Sequence, residues 1–269
     1  MDYFFINRRS NYIYNFYRKI KRGREMKKNQ YILLVGKEKR FIIKKTDEIV
    51  NTPVGKVDTQ KIKKFGQKLR INKKTFTVVN PTMIDLLKRA RRMPQVILPK
   101  DAAIIAAHTG LTGGWKCVDA GTGSAFLAAF LGNLVRPDGS VISYEKNEKF
   151  VKNAKKNIEL LGLEDIVKIK HSSVSKMKEK NLDLITLDMK DAEKMVKKAK
   201  KALKTGGWLV VYSPHIEQVK AVKEEMIKNG FKDIETIEVI KRKWKVDNFT
   251  HPVPSGILHT GFMTFARKI

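Results

Sequence analysis

The run Val118-Asp119-Ala120-Gly121-Thr122-Gly123-Ser124 decides the reading of this chain. It is an apolar stretch ending in a glycine turn. A second apolar stretch, Val141-Ile142-Ser143-Tyr144, closes on Glu145. Together they read as successive strands of an open α/β sheet, each ending at a ligand. Glycine lacks a Cβ and tolerates positive φ, so the Gly-Thr-Gly turn lets backbone approach a bound molecule closely. Glu145 stands 22 residues beyond Gly123, and an acid at that distance, ending the next strand, suits the hydroxyls of a ribose. A dinucleotide site would place a third glycine where this chain has Phe126. A methyl-donor nucleoside, S-adenosylmethionine, needs only the first glycines and the acid.

Outward from this centre the pattern keeps alternating. Strands are expected at 115–120, 140–145, 167–172, 183–188 and 207–213, with helices from about Phe126 and over 147–161, 192–203 and 215–229. Val151, Ala154, Ile158 and Leu161 fall on one face of the helix after Glu145. Such alternation means a parallel sheet covered on both faces. The last two strands, 233–240 and 258–266, have no helix between them and are expected to pair antiparallel. Upstream, Tyr31-Ile32-Leu33-Leu34-Val35 and Phe41-Ile42-Ile43 flank a Gly36-containing hairpin signal. Residues 26–79 therefore read as a small β module and 80–269 as the catalytic domain. Residues 1–25, ending Lys21-Arg22-Gly23-Arg24-Glu25 before Met26, read as a non-native or disordered extension, with Met26 the true start. The alternative is a basic RNA-binding arm.

Composition sets the partner. Lys and Arg number 56 against 27 Asp and Glu, a net charge of +29, which draws polyanions and makes nucleic acid the favoured partner. Cys117 is the single cysteine, so no intramolecular disulfide forms and a reducing, cytoplasmic setting is expected. No apolar run approaches the ~18 residues of a membrane span. No metal-ligand pattern stands out.

Three further segments carry chemistry. Leu184-Ile185-Thr186-Leu187-Asp188 is a buried strand ending on a carboxylate, placed to face a transferred group; a helix N-cap is the plainer role for Asp188. Pro94-Gln95-Val96-Ile97-Leu98-Pro99-Lys100-Asp101 is an apolar stretch bracketed by prolines, expected to be rigid and buried against the cofactor. His259-Thr260-Gly261-Phe262-Met263-Thr264-Phe265-Ala266-Arg267-Lys268 reads as an amphipathic strand after the turn-rich 251–256.

Taken together, Pro-Gln-Val-Ile-Leu-Pro-Lys-Asp, Asp-Ala-Gly-Thr-Gly-Ser, Ser-Tyr-Glu, Leu-Asp-Met and the His-Thr-Gly segment closely resemble the TrmI-type tRNA adenine-N1 methyltransferases, most of all their archaeal branch. The resemblance runs from about Lys28 to Ile269. It implies a Rossmann-like, seven-stranded class I methyltransferase sheet with its last strand antiparallel, and the small N-terminal β module. It implies S-adenosylmethionine as cofactor, a homotetramer, and methylation of N1 in T-loop adenines 57 and 58 of tRNA. Carried over by position, Gly121, Gly123 and Ser124 bind the cofactor, Glu145 holds its ribose, and Gln95 and Ile97 lie at the site. Thr122, Ala125, Ser173, Val174 and Asp188 complete the set, with Asp188 nearest the target base. The chain departs from the family pattern at Ala125 for a glycine, Ser173 for an acid, Leu98 for Tyr or His, and Asn80 and His251 for arginines.

Asp188 is expected to accept a hydrogen bond from the adenine exocyclic amine, orienting N1 and stabilising the positive charge the ring acquires. Competing readings are a non-catalytic tRNA-binding subunit of the same fold and a protein methyltransferase of the isoaspartyl type. The first would be expected to lose the glycine turn and acid; the second leaves the β module and the charge unexplained.

Overall fold

A computed structural model describes Met26, residues 28–93, 96–256 and 258–269. The expectations for residues 1–25 lie outside the described residues. The chain divides into two compact units after Arg89, ten residues beyond the boundary read from the sequence. Residues past the last strand stay with the first unit because of local bonding. A short helix, α1 (Met83–Leu87), is closed by a Thr82–Asp85 capping box, and the Arg89 guanidinium donates to the Ile42 carbonyl at 2.8 Å.

The first unit orders its strands β2-β1-β6-β5, all antiparallel. They are β1 (Tyr31–Val35), β2 (Arg40–Lys44), β5 (Lys68–Ile71) and β6 (Lys74–Val79). The turn joining β1 to β2 closes with the Gly36 N–H donating to the Lys39 carbonyl at 2.8 Å, the hairpin the sequence signalled. A separate hairpin pairs β3 (Ile49–Thr52) with β4 (Gly55–Asp58), in a stretch whose Thr-Pro-Val-Gly turn is legible but whose short polar strands are not. Ile32, Leu34, Ile43, Ile62, Phe76 and Val78 form the core of this unit.

The second unit is built on a sheet of seven described strands, ordered β12-β15-β11-β10-β7-β8-β9. In chain order it begins with α2 (Pro99–Thr109), β7 (Lys116–Ala120), α3 (Phe126–Val135), β8 (Ser140–Glu145) and α4 (Glu148–Leu161). There follow β9 (Val167–His171), β10 (Leu182–Leu187), α5 (Val196–Ala202), β11 (Leu203–Ser213) and α6 (Ile216–Lys228). It closes with β12 (Lys232–Glu238), a two-residue ladder of β13 (Trp244–Lys245) and β14 (His251–Pro252), and β15 (Phe262–Arg267). Strands β7 to β11 pair in parallel, while β15 runs antiparallel between β11 and β12. The helix-less final pair is therefore as the sequence read it. β10 is buried at every position, as a strand covered on both faces must be.

Two details differ from the sequence reading. The helix read at 192–203 is a tight turn over Ala192–Met195 followed by α5, and the chain enters β11 directly at Leu203. Leu203 pairs with Leu182, after which the register slips before Leu184 meets Trp208; the slip spans Gly206 and Gly207, where a Cβ on Gly207 would press the Leu182 carbonyl at 2.8 Å. The loop between β7 and α3 ends on Ala125, which is buried and holds φ 61°, ψ 26°. An L-residue pays roughly 1–2 kcal/mol there, and this is the position where the family pattern has glycine. Ala125→Gly is expected to raise stability by about 0.5–1 kcal/mol after the larger chain entropy of glycine is subtracted; an unchanged or lower urea midpoint would count against this account.

Candidate functional site

β7 is flanked by β8 on one side and β10 on the other, so the connections diverge at its carboxyl end and open a crevice there. Gly121 takes φ +88° at this point, and a Cβ on it would come within 1.8 Å of the Asp188 carbonyl oxygen. The chains are tied at the same level, Asp188 N–H donating to the Ala120 carbonyl at 2.8 Å. The Gly121 N–H donates to the Tyr144 carbonyl at 3.1 Å. The Gly123 N–H donates to Glu145 Oε2 at 3.1 Å, and Glu145 Oε1 accepts from the Asn147 N–H at 2.9 Å. Thus the turn and the acid 22 residues later are joined directly.

Behind the turn runs a buried polar chain. Thr186 Oγ1 donates to Asp119 Oδ1 at 2.7 Å, and Ser143 Oγ donates to Oδ2 at 2.5 Å. With its hydrogen committed to Asp119, Ser143 accepts from the Thr122 hydroxyl, 2.5 Å away. Burial pushes the Asp119 carboxyl up, and the two hydroxyls oppose that shift. Four side chains from three strand ends and the turn thereby fix one another.

A cleft of about 340 Å³ opens in front of the turn. Gly121, Glu145 and Val174 line it, together with Ser172, Met189 and Lys190. Of the residues singled out in the sequence, Gly121, Glu145 and Val174 reach this wall, and Gly123 holds Glu145. None of the other described ones lines it. Thr122 is committed to the buried chain. Ser124 is buried, its hydroxyl accepting from the Met93 N–H at 2.7 Å and its carbonyl from Asn157 at 2.9 Å. Ala125 sets the backbone, and Ser173 caps the turn at Val174–Lys176 through the Ser175 N–H. Ile97 is buried, as the proline-bracketed stretch predicted; Gln95 lies outside the described residues. Ser172, Met189 and Lys190 were missed. Each follows the end of a strand, so the rule that ligands bind beyond carboxyl ends is the signal that would have found them.

Asp188 leaves the end of β10 half-buried, and among the described residues nothing donates to its carboxylate. It caps no helix: Asp191 stands at that position. Burial first, and then the charge of Asp119, push its carboxyl up to about 7.

Farther along the same sheet edge two distant motifs meet. The Lys100 ammonium donates to Asp101 Oδ1 at 2.7 Å, the Val239 carbonyl at 2.6 Å and Thr260 Oγ1 at 2.7 Å. Thr260 in turn donates to Asp101 Oδ2 at 3.1 Å. Asp101 is fully buried, and the three ammonium protons are all used.

The raised Asp188 carboxyl has a measurable cost. A carboxyl with a folded value near 7 against 3.8 when unfolded contributes stability that is complete below about pH 4 and is lost as pH rises through about 7. Asp188→Asn keeps the neutral form, so its stability should draw ahead of the parent between pH 4 and 7. By calorimetry at pH 8.5 the gain is expected to be on the order of 1–3 kcal/mol; equal melting temperatures there would refute the raised carboxyl.

The comparisons with known proteins agree with this architecture. Residues 86–255 match the family described as the tRNA methyltransferase complex GCD14 subunit. The tRNA (adenine(57)-N(1)/adenine(58)-N(1))-methyltransferase TrmI of Methanocaldococcus jannaschii is 38% identical over 267 residues, 88% of this chain and 94% of that protein. Among solved structures, the tRNA (m1A58) methyltransferase TrmI of Aquifex aeolicus is similar at TM-score 0.73 and 25% identity, covering 91% of this chain and 98% of that one. A SAM-dependent O-methyltransferase of Thermotoga maritima matches at TM-score 0.79 and 31% identity, covering 91% and 94%. This chain belongs to the TrmI-type tRNA adenine-N1 methyltransferases.

Proposed function

We propose that this protein transfers a methyl group from S-adenosylmethionine to N1 of T-loop adenines in tRNA, at positions 57 and 58 as in its archaeal relative. The observation that carries the reading is Asp188: a raised carboxyl with no donor among the described residues, at the strand crossing beside a nucleoside-sized cleft. The cleft fits the cofactor: Gly121 leaves room where any Cβ would collide, Val174 and Met189 supply apolar walls, and each Glu145 oxygen keeps a lone pair for ribose hydroxyls. When bound, S-adenosylmethionine supplies an electrophilic sulfonium methyl. We infer that Gly123, Ser124, Ala125 and Thr122 hold the loop that receives it, and that Gln95, Ile97 and Ser173 border it.

The protein's work is positioning and electrostatics. Asp188 accepts from the exocyclic amine of an extruded adenine, which fixes N1 in line and offsets the charge the ring gains. Extrusion from a folded T-loop costs a few kcal/mol, which contacts between the basic surface and phosphates offset. We further infer a homotetramer, from the family resemblance, and a cytoplasmic location, in keeping with the single buried cysteine. Among the described residues no helix is long and apolar enough to cross a membrane.

Asp188→Ala should lower kcat on tRNA by about 10²–10³-fold while tRNA binding holds; full turnover would overturn the role. Because the acceptor must be ionised, kcat/KM of the parent should fall as pH drops below about 7. Glu145→Gln should weaken cofactor binding about tenfold by calorimetry, with kcat recovered at saturation; an unchanged affinity would take Glu145 away from the ribose. Mapping the methylated nucleotide in tRNA incubated with labelled cofactor tests the reaction itself.

A further inference from the structure

A further cleft lies outside the catalytic unit. It lies within the N-terminal unit, between β2 and the β3–β4 hairpin, with a volume of about 580 Å³. Its walls fall into three chemical parts. Phe41, Val50 and Pro53 give an apolar surface, with Phe41 braced edge-on by Phe76 at 5.3 Å between ring centroids. Arg40, Lys44 and Lys88 are exposed at its rim, with Asp85 the lone acid among the lining residues. Asp85 is itself held below the usual carboxylate range, first by the Thr82 hydroxyl and more weakly by Lys88 and Arg40. The rim is thus strongly cationic.

Two polar groups complete it. The Asn51 amide is exposed on the hairpin and has no partner among the described residues. The Thr46 hydroxyl is buried in the wall without a hydrogen bond, a state that costs roughly 1–3 kcal/mol. A flat apolar floor suits a base face, a free amide offers both donor and acceptor to a base edge, and a cationic rim suits the adjoining phosphate. A neutral or basic ligand would leave the rim uncompensated.

We propose that this cleft binds one unpaired nucleotide of the tRNA, additional to the nucleotide that is methylated. The base lies on Phe41, Val50 and Pro53 with Asn51 at its edge, and the flanking phosphates pair with Arg40 and Lys88. Unpaired RNA is the fitting form, because only a splayed nucleotide presents its base face to such a pocket. The inference rests on tRNA being the substrate, and its test separates the two.

The full-length protein and a transcribed tRNA serve as the probe. Arg40→Ala with Lys88→Ala is expected to raise the tRNA Kd about tenfold and to reduce the salt slope of log K by about 1.4–1.8, two phosphate contacts being lost. Val50→Trp fills the floor without changing charge; it should raise Kd and KM several-fold while kcat at saturating tRNA and cofactor affinity hold. A photo-reactive uridine scanned through the unpaired positions of the tRNA should cross-link to residues 40–53 in the parent and lose that cross-link in Val50→Trp. The inference falls if both variants melt as the parent does and bind tRNA with parental Kd and salt slope while the parent methylates it; the proposed reaction then stands. A parent that neither binds nor methylates tRNA overturns both.

Discussion

The close passage of Gly121 over the Asp188 carbonyl is the constraint on which the catalytic unit depends. β7 and β10 are neighbours in the sheet yet the paired residues Cys117 and Leu184 stand 67 apart in sequence, and the strand ends must meet without a side chain between them. That approach brings the Asp188 N–H onto the Ala120 carbonyl and the Thr186 hydroxyl onto Asp119. It also settles where the Asp188 side chain stands relative to the Glu145-lined cleft. Any residue but glycine at 121 would have to push β10 outward, and the carboxylate with it. Fold and site therefore share one contact.

Electrostatics are layered around the same point. Asp119, Glu145 and Asp188 gather at three strand ends, while Lys146 and Lys190 stand exposed beside them. An acidic interior favours a cationic group within the cleft, and the surplus of positive charge outside, +29 over the chain, favours a polyanion against the surface. Burial raises both Asp119 and Asp188, with the charge of Glu145 adding to the first shift and that of Asp119 to the second. A molecule bearing positive charge next to Asp188 would lower the cost of its ionisation, so binding there and the charge state of Asp188 are coupled by the same field.

What was legible in the sequence follows from the range of the interactions that made it so. The β7 turn and Glu145 could be read because a glycine at positive φ and an acid at a strand end are local requirements; the bond from the Gly123 N–H to Glu145 that joins them is a contact the spacing did not predict. The alternation of buried strands and amphipathic α4 gave the layers for the same reason. Ser124 could not be read: its motif position matches a ligand-binding serine, but a loop far upstream docks on its hydroxyl through Met93. At the end of β9, Ser172 lines the cleft while Ser173 caps the following turn; strand-end phase depends on the twist of the sheet, which spacing does not encode. The early start of β11 at Leu203 was hidden because Ala199 and Ala202 continue a helical pattern up to it.

The Lys100–Asp101–Thr260 cluster shows why two motifs 160 residues apart are read as parts of one signature. A buried ion pair seldom adds stability over well-packed apolar side chains, because both charges lose their water. Here every Lys100 proton has a partner and both Asp101 oxygens accept, so breaking either member would strand a buried charge. An apolar replacement could fill the volume but would not fix direction. The ammonium points at three acceptors from three separate segments, the start of α2, Val239 at the end of the β12 edge, and the turn before β15. Just beyond, Gly261 passes so near the Tyr212 ring that a Cβ would lie 2.5 Å from it. The cluster thereby sets the path of the chain that enters β15, and β15 is the strand that seals the sheet between β11 and β12. Directional hydrogen bonding, more than net energy, is what this pair contributes, and it is why the residue types at 100, 101 and 260 carry information that their burial alone would not.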